Sequence, residues 1–166
     1  WMLRSKLAPG ARCALEHGGV APVIVAPDAN LDTALPTLAK GGFYHAGQVC
    51  VSVQRIFCDA KIAQDVAAGI AAQADSMKVS DPTLADTDVG PLINHNECDR
   101  VATWVSDAIS GGAKLITGGD KISDSCYKPT VLFDPPADAK ISTAEIFGPA
   151  VCVYPYDNLD SAIARA

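Results

Sequence analysis

Three residues of this chain stand in settings that suit covalent chemistry at a carbonyl carbon. Cys50 ends a Gly-Gln-Val-Cys segment, Glu16 lies two residues before a Gly-Gly pair, and Glu145 begins a Glu-Ile-Phe-Gly-Pro segment. A thiolate can attack a carbonyl carbon, and a carboxylate can activate the water that later releases the product. Together these residues predict a site that oxidises a carbonyl compound through a covalent intermediate.

Cys50 is the candidate nucleophile. The adduct between a thiolate and an aldehyde can expel hydride and leave a thioester, which water then hydrolyses. Gly47 and Gln48 suit a tight turn before the cysteine, and a main-chain N–H at that turn could stabilise an oxyanion. The alternative from the local sequence is a core thiol that follows a helix.

Glu16 is the candidate general base for hydrolysis of the thioester. Cys50 follows it by 34 positions, which leaves room for one strand, a loop and a helix and allows both side chains to reach one cleft. His17 could compete as the base, but neighbouring residues of a strand point to opposite sides, so we predict a packing role for His17. Without the other motifs, Glu16 would be interpreted as a solvated residue at a strand end.

Glu145 and Phe147 are the candidate contacts for a dinucleotide cofactor. A carboxylate can accept hydrogen bonds from both hydroxyls of a ribose, and an aromatic ring beside it can pack on the ribose or the nicotinamide. Gly148 and Pro149 suit a fixed turn after these residues. The alternative is an ordinary β-turn between two strands.

The elements that must position these residues alternate between strands and helices. This alternation predicts an α/β fold with a largely parallel sheet. Either Asp28 or Asn30 can cap the first helix, and a polar loop is predicted over 80–91. Strands are predicted at 23–25, 54–58, 114–117, 127–133 and 150–154, and helices from residue 31, over 60–77, over 94–109 and from residue 159.

Length, composition and charge narrow the possible functions. The chain has 166 residues, of which 49% are hydrophobic, enough for one domain with a real core. Its net charge of −6 argues against nucleic acids and anionic membranes as partners. No apolar stretch approaches the roughly 18 residues of a membrane span, and the first residues do not resemble a signal peptide.

The six cysteines predict free thiols in a reducing, cytoplasmic compartment. Their irregular spacing contains no Cys-x-x-Cys pair, so no metal site is expected. Cys13, Cys58 and Cys152 are predicted to be small buried hydrophobic residues. Cys98 and Cys126 are predicted to be partly exposed.

The motifs together resemble those of the aldehyde dehydrogenase superfamily. The resemblance covers the glutamate motif at 15–22, the cysteine motif at 43–50 and the ribose-contacting motif at 145–149, and it extends to 28–34 and 89–93. It implies the three-layer α/β/α catalytic domain of that family, with a largely parallel sheet. It also implies NAD or NADP as cofactor, a small-molecule aldehyde as substrate, and a homo-oligomeric full enzyme.

The same resemblance implies a role for each site residue. Cys50 is implied as the nucleophile, with its main-chain N–H as half of the oxyanion hole. Glu16 is implied as the general base for deacylation, and its presence favours water over coenzyme A as the acyl acceptor. Glu145 and Phe147 are implied as cofactor contacts.

Three positions depart from the usual motifs of the family. They are His17 after the motif glutamate, Val20 after the glycine pair, and His45 five residues before the nucleophile. These departures concern substrate preference rather than the class of reaction.

We expect residues 1–166 to form a single catalytic domain that is truncated at both ends. A Trp stands before the Met at the start, and the helix predicted from residue 159 is cut short by the chain end. Most cofactor contacts would then lie in a domain absent from this chain, so the isolated chain is expected to be inactive as a dehydrogenase. Two alternatives are a catalytically incomplete scaffold or oligomerisation module, and a cofactor-independent thiol esterase side activity.

Overall fold

Residues 2–16 and 18–166 are described by the computed structural model, and within them the chain forms one five-stranded sheet in the order β1-β2-β5-β4-β3. The strands are β1 (Pro22–Val25), β2 (Arg55–Asp59), β3 (Lys114–Thr117), β4 (Thr130–Phe133) and β5 (Ala150–Tyr156). The α-helices are α1 (Leu31–Phe43), α2 (Ala63–Ser76), α3 (His95–Ser110), α4 (Lys140–Thr143) and α5 (Leu159–Arg165), and short 3-10 turns occupy Arg4–Lys6 and Tyr44–Gly47.

The sheet is parallel except at one edge. β1 pairs with β2, β2 with β5, and β5 with β4 in parallel, whereas β3 pairs with β4 in antiparallel fashion with a register irregularity. β5 is the central strand, and all but one of its residues are buried, as expected for a parallel strand covered on both faces. The predicted α/β fold with a largely parallel sheet is confirmed.

Helices cover both faces of the sheet. On one face, Gly42 of α1 lies so close to Val151 of β5 that a methyl group at position 42 would collide with its side chain. On the other face, the hydroxyl of Ser142 in α4 lies 2.8 Å from the hydroxyl of Tyr154. The guanidinium of Arg165 in α5 lies 5.1 Å from the ring centre of Phe57. The layers therefore follow the predicted α/β/α order.

Asparagine side chains set the starts of three helices. Asn30 accepts hydrogen bonds from the N–H groups of Asp32 and Thr33, and Asn94 and Asn158 accept equivalent bonds at the starts of α3 and α5. Such caps bind N–H groups that have no partner inside the helix. Of the two candidate caps of α1, Asn30 is the correct one.

The cysteines follow the predictions only in part. Cys58 and Cys152 are buried, and burial raises the pKa of each thiol to about 12. Cys126 is partly exposed, as predicted. The prediction for Cys98 is wrong, because it lies on the buried stripe of α3. The prediction for Cys13 is also wrong, since the segment around it has no helix or strand and lies at the surface.

Among the residues that the structure describes, no helix is both long and apolar enough to span a bilayer. Across the same part of the chain, the His, Cys, Asp and Glu side chains form no group of three or more that suits a metal ion.

Candidate active site

Cys50 lies on a turn between α1 and β2, with its side chain exposed to solvent. The turn is closed by the N–H of Ser52, which donates to the carbonyl of Val49 at 2.9 Å. The Ser52 hydroxyl also lies 3.2 Å from the Gly41 carbonyl and 3.3 Å from that of Gly42, near the end of α1. The thiol is therefore presented at the surface, and the alternative of a core thiol is wrong.

The backbone before Cys50 takes an unusual conformation. His45, Ala46 and Gly47 have φ values of 51°, 56° and 69°. This left-handed conformation costs a residue with a side chain roughly 1–2 kcal/mol, and such strain is typically found at functional sites. At Gly47 a second constraint applies, because a methyl group would collide with the main-chain oxygen of Gly148.

The Gln48 side chain joins the cysteine turn to a distant segment of the chain. Its amide nitrogen donates to the carbonyls of His45 and Pro91, both at 3.2 Å, and its amide oxygen accepts from the N–H of Ile93 at 2.8 Å. These bonds fix the end of the 80–91 loop beside Cys50.

A groove of about 760 Å³ opens beside the cysteine turn. The side chain of Ile93 at its border is 79% exposed. Such a concave surface beside an exposed thiol has the size of a small-molecule site. Its lining includes His45, Gln48, Val49, Asp88, Ile93 and Phe147.

Glu145 is half-buried, and one of its carboxylate oxygens, Oε1, is buried with no hydrogen-bond partner among the described residues. Buried polar atoms without partners are rare and call for an explanation. Phe147, two residues later, has a φ of 47° and is 41% exposed. An unpaired carboxylate oxygen next to an accessible ring fits the predicted pair of ribose contacts.

The three predicted motifs meet at one cleft through their glycines. A methyl group at Gly18 would collide with the Glu145 carboxylate, and one at Gly47 would collide with Gly148. Gly19 lines the same small cleft together with parts of both other motifs. The segments that carry Glu16, Cys50 and Glu145 therefore pass close to one another at this cleft.

Glu16 itself lies in an irregular segment before β1, and its side chain is exposed. It is not hydrogen-bonded to Cys50 in the described part of the chain. His17 lies outside the described residues, so the packing role predicted for it stays a prediction. His45 is exposed and lines the groove.

Sequence reasoning missed two residues that bind the main chain around Glu145. Gln54 is 4% exposed and binds Ile141, Ala144 and Ile146, and Arg100 of α3 also binds Ile146. A glutamine at the start of an apolar strand was a usable signal, because a buried amide needs partners. Nothing in the local sequence distinguishes Arg100 from other helix arginines.

The sequence of this chain is similar to the sequences of known proteins. Residues 3–166 match the family model described as "Aldehyde dehydrogenase family". The chain is 37% identical over 164 residues to a 3-sulfolactaldehyde dehydrogenase from Priestia megaterium, covering 99% of this chain and 34% of that protein. It is 38% identical over 154 residues to succinate-semialdehyde dehydrogenase (NADP+) 1 from Mycobacterium bovis, covering 92% of this chain and 32% of that protein.

The fold of this chain is also similar to folds of solved structures. The chain superposes with a TM-score of 0.91 on the crystal structure of a glyceraldehyde-3-phosphate dehydrogenase from Methanocaldococcus jannaschii complexed with NADP. The sequence identity is 36%, and the match covers 99% of this chain and 36% of that one. This chain spans about a third of the length of the curated relatives it matches.

Proposed function

This chain belongs to the aldehyde dehydrogenase family, and we propose on that basis that it carries the catalytic residues for oxidising an aldehyde to a carboxylic acid. The observation that carries the proposal is the exposed Cys50 turn, which packs through Gly47 against the segment that follows Glu145. This packing supports the assignment of Cys50 as nucleophile and of Glu145 as the cofactor-binding carboxylate of one cleft.

Cys50 begins the reaction. Its thiolate adds to the aldehyde carbon and forms a hemithioacetal, and negative charge develops on the former carbonyl oxygen. Within the described part of the chain, the main-chain N–H of Cys50 donates no hydrogen bond to another backbone group. It can therefore donate to that oxygen and stabilise the developing charge.

Glu145 and Phe147 would hold the dinucleotide. The Glu145 carboxylate, whose Oε1 has no hydrogen-bond partner among the described residues, would accept from ribose hydroxyls, and the exposed Phe147 ring offers an apolar surface for packing. When bound, NAD or NADP supplies the acceptor for the hydride that leaves the hemithioacetal carbon. Loss of that hydride converts the hemithioacetal on Cys50 into a thioester.

Glu16 completes the cycle as general base. It takes a proton from a water molecule, whose oxygen attacks the thioester carbon, and the Cys50 thiolate leaves as the carboxylic acid forms. The contact between Gly18 and Glu145 supports this role, because it brings the segment that carries Glu16 past the same cleft.

Residues 1–166 act in this proposal as one catalytic domain. The substrate is a small aldehyde, the protein works in the cytoplasm, and the complete enzyme is a homo-oligomer. A cofactor-independent thiol esterase activity at Cys50, and a scaffold without catalysis, are the alternatives that experiment must separate from this proposal.

Turnover of aldehyde by the full-length protein tests the proposal. Formation of NADH or NADPH is followed by absorbance with a panel of small aldehydes, using Cys50→Ala and, as a matched control, the exposed Cys13→Ala. We expect Cys50→Ala to abolish turnover and Cys13→Ala to leave it unchanged. Full activity of Cys50→Ala would exclude the mechanism, and ester hydrolysis without any aldehyde oxidation would favour the esterase alternative.

A further inference from the structure

Both main-chain polar groups of Ile146, the residue between Glu145 and Phe147, are bound by side chains from other elements. Its N–H donates to the Gln54 amide oxygen at 3.0 Å. Its carbonyl accepts from the Arg100 guanidinium at 2.5 Å. The Ile146 side chain is only 2% exposed, so this residue is fixed by packing and by hydrogen bonds.

Gln54 connects this turn to the sheet. Its amide nitrogen donates to the carbonyls of Ile141 and Ala144, at 2.8 and 2.9 Å. Its own main-chain carbonyl accepts from the N–H of Cys152 in the central strand at 2.8 Å. Gln54 therefore fixes the segment that leads to Glu145 relative to β2, the strand that follows the Cys50 turn.

Arg100 connects the same turn to helix α3. Its guanidinium forms an ion pair with Glu97 at 2.7 Å and lies 4.7 Å from the ring centre of Trp104. Val101, the next residue of α3, packs against Gly148. A Cβ atom added at Gly148 would lie 2.5 Å from the Val101 side chain. Helix α3 thus supports the turn on both sides of Phe147.

The turn needs this support because Phe147 has a φ of 47°. A non-glycine residue in this region costs about 1–3 kcal/mol and persists only where surrounding contacts determine it. The hydrogen bonds to the preceding residue, Ile146, are such contacts. Without them the turn can relax, and the carboxylate of Glu145 would lose its fixed position.

We infer that Arg100 and Gln54 are positioning residues that hold the Glu145 carboxylate and the Phe147 ring in the geometry that binds the dinucleotide. The inference rests on the proposed function and adds two residues that touch neither the substrate nor the reacting atoms. Arg100 is the better one to test, because it is only half-buried and does not belong to the buried core, whereas Gln54 is buried.

The first measurement is hydrogen–deuterium exchange of the peptide that covers residues 144–149. Arg100→Met removes the guanidinium but keeps an apolar stem beside Trp104. Arg100→Lys restores a cation, and Arg12→Met is a matched control at an exposed arginine. We expect exchange to be faster in Arg100→Met, intermediate in Arg100→Lys and unchanged in Arg12→Met, because local opening depends on the bonds that close the turn.

The second measurement is the dissociation constant of the full-length protein for NAD+ and for NADP+. Loss of a hydrogen bond from a charged donor predicts binding weaker by about tenfold in Arg100→Met. Acylation of Cys50 by an activated ester in the absence of cofactor should not change, because that step does not use the turn at Glu145. A variant that is misfolded as a whole would instead show both weaker dinucleotide binding and slower acylation of Cys50.

Labelling of the buried thiols Cys58 and Cys152 shows whether each variant is folded. If Arg100→Met unfolds, Glu97→Gln provides the same test, since it removes the ion pair that orients the guanidinium and should give smaller changes in the same direction. Unchanged exchange at residues 144–149 in Arg100→Met would overturn the inference. Faster exchange with unchanged dinucleotide affinity, in an enzyme that is active, would also overturn it. Neither result would affect the proposed function. A wild-type protein that binds neither dinucleotide would overturn the proposed function and this inference with it.

Discussion

Gly47 packs directly against the main-chain carbonyl of Gly148, so closely that a methyl group at position 47 would collide with it. This contact joins the turn before Cys50 to the turn after Glu145. Two segments about a hundred residues apart in sequence thus meet through their backbones. The contact places the turn before Cys50 directly beside the turn that carries Glu145 and Phe147.

Gly47→Ala should therefore impair the site as well as stability. The residue has a φ of 69°, which alone costs alanine roughly 1–2 kcal/mol, and the collision with Gly148 adds to this. Gly10 is a matched control, because it has a φ of 82° but nothing near its Cβ position. Urea denaturation should show a larger loss for Gly47→Ala than for Gly10→Ala, with loss of Cys50 acylation only in Gly47→Ala. Equal losses would show that the contact with Gly148 contributes nothing.

Gln48→Ala should slow acylation of Cys50. The variant removes two hydrogen bonds that join the cysteine turn to Pro91 and Ile93 and a third bond to His45 within the turn, and each net bond contributes about 1 kcal/mol. We expect a loss of stability of about 1–3 kcal/mol and a slower reaction of Cys50 with an activated ester. The control is Gln64→Ala, an exposed glutamine of α2. An acylation rate equal to that of Gln64→Ala would contradict the role of Gln48.

Glu16→Gln should trap the acyl-enzyme. An amide cannot accept the proton of the attacking water, so deacylation should slow by about 10²–10⁴-fold while acylation continues. Intact-mass spectrometry after mixing with an activated ester should show accumulated acyl protein. Asp138→Asn, at an exposed carboxylate, should deacylate like the wild type. Rapid deacylation by Glu16→Gln would assign the base to another residue.

Stability should fall at alkaline pH because of the buried thiols. Burial raises the pKa of Cys58 and Cys152 from 9.0 to about 12. Below pH 9 these thiols are protonated in both the folded and the unfolded chain, and their contribution to stability is fully present. As the pH rises toward 12, the thiols ionise in the unfolded chain but stay protonated in the folded chain. Each thiol therefore lowers the free energy of unfolding by about 1 kcal/mol per pH unit.

Urea denaturation at about pH 8 and about pH 10 measures this effect. The decrease in the free energy of unfolding should be smaller in Cys58→Ala than in the wild type. It should be unchanged in Cys13→Ala, because that side chain is exposed in the folded chain. The same decrease in all three proteins would exclude Cys58 as a cause.

Much of the fold could be predicted because its signals are local. Asn30 and Asn94 cap helices by binding N–H groups within three residues, and the apolar run at Ala150–Tyr156 is what a central parallel strand requires. The cysteine and glutamate motifs were equally visible, since each is contained in fewer than ten residues.

The long-range details could not be predicted. The side chain of Gln54 binds residues 87, 90 and 92 positions away, and no local pattern shows where that amide will find its partners. The left-handed conformations of His45 and Phe147 are imposed by tertiary contacts against the preference of these residues. Cys98 has polar neighbours in the sequence, and only the packing of its helix shows that it lies on the buried stripe.

The central claim is that Cys50 is the nucleophile, and mass mapping of acylated cysteines tests it most directly. The protein is treated briefly with an activated acyl ester, digested, and analysed at each of its six cysteines. Cys13 is an internal reference for simple exposure, and Cys58, Cys98 and Cys152 report unfolding because they are buried. We expect Cys50 to be acylated well before Cys13 while the buried thiols stay unmodified. Equal labelling of Cys50 and Cys13, or no labelling of Cys50, would contradict the claim.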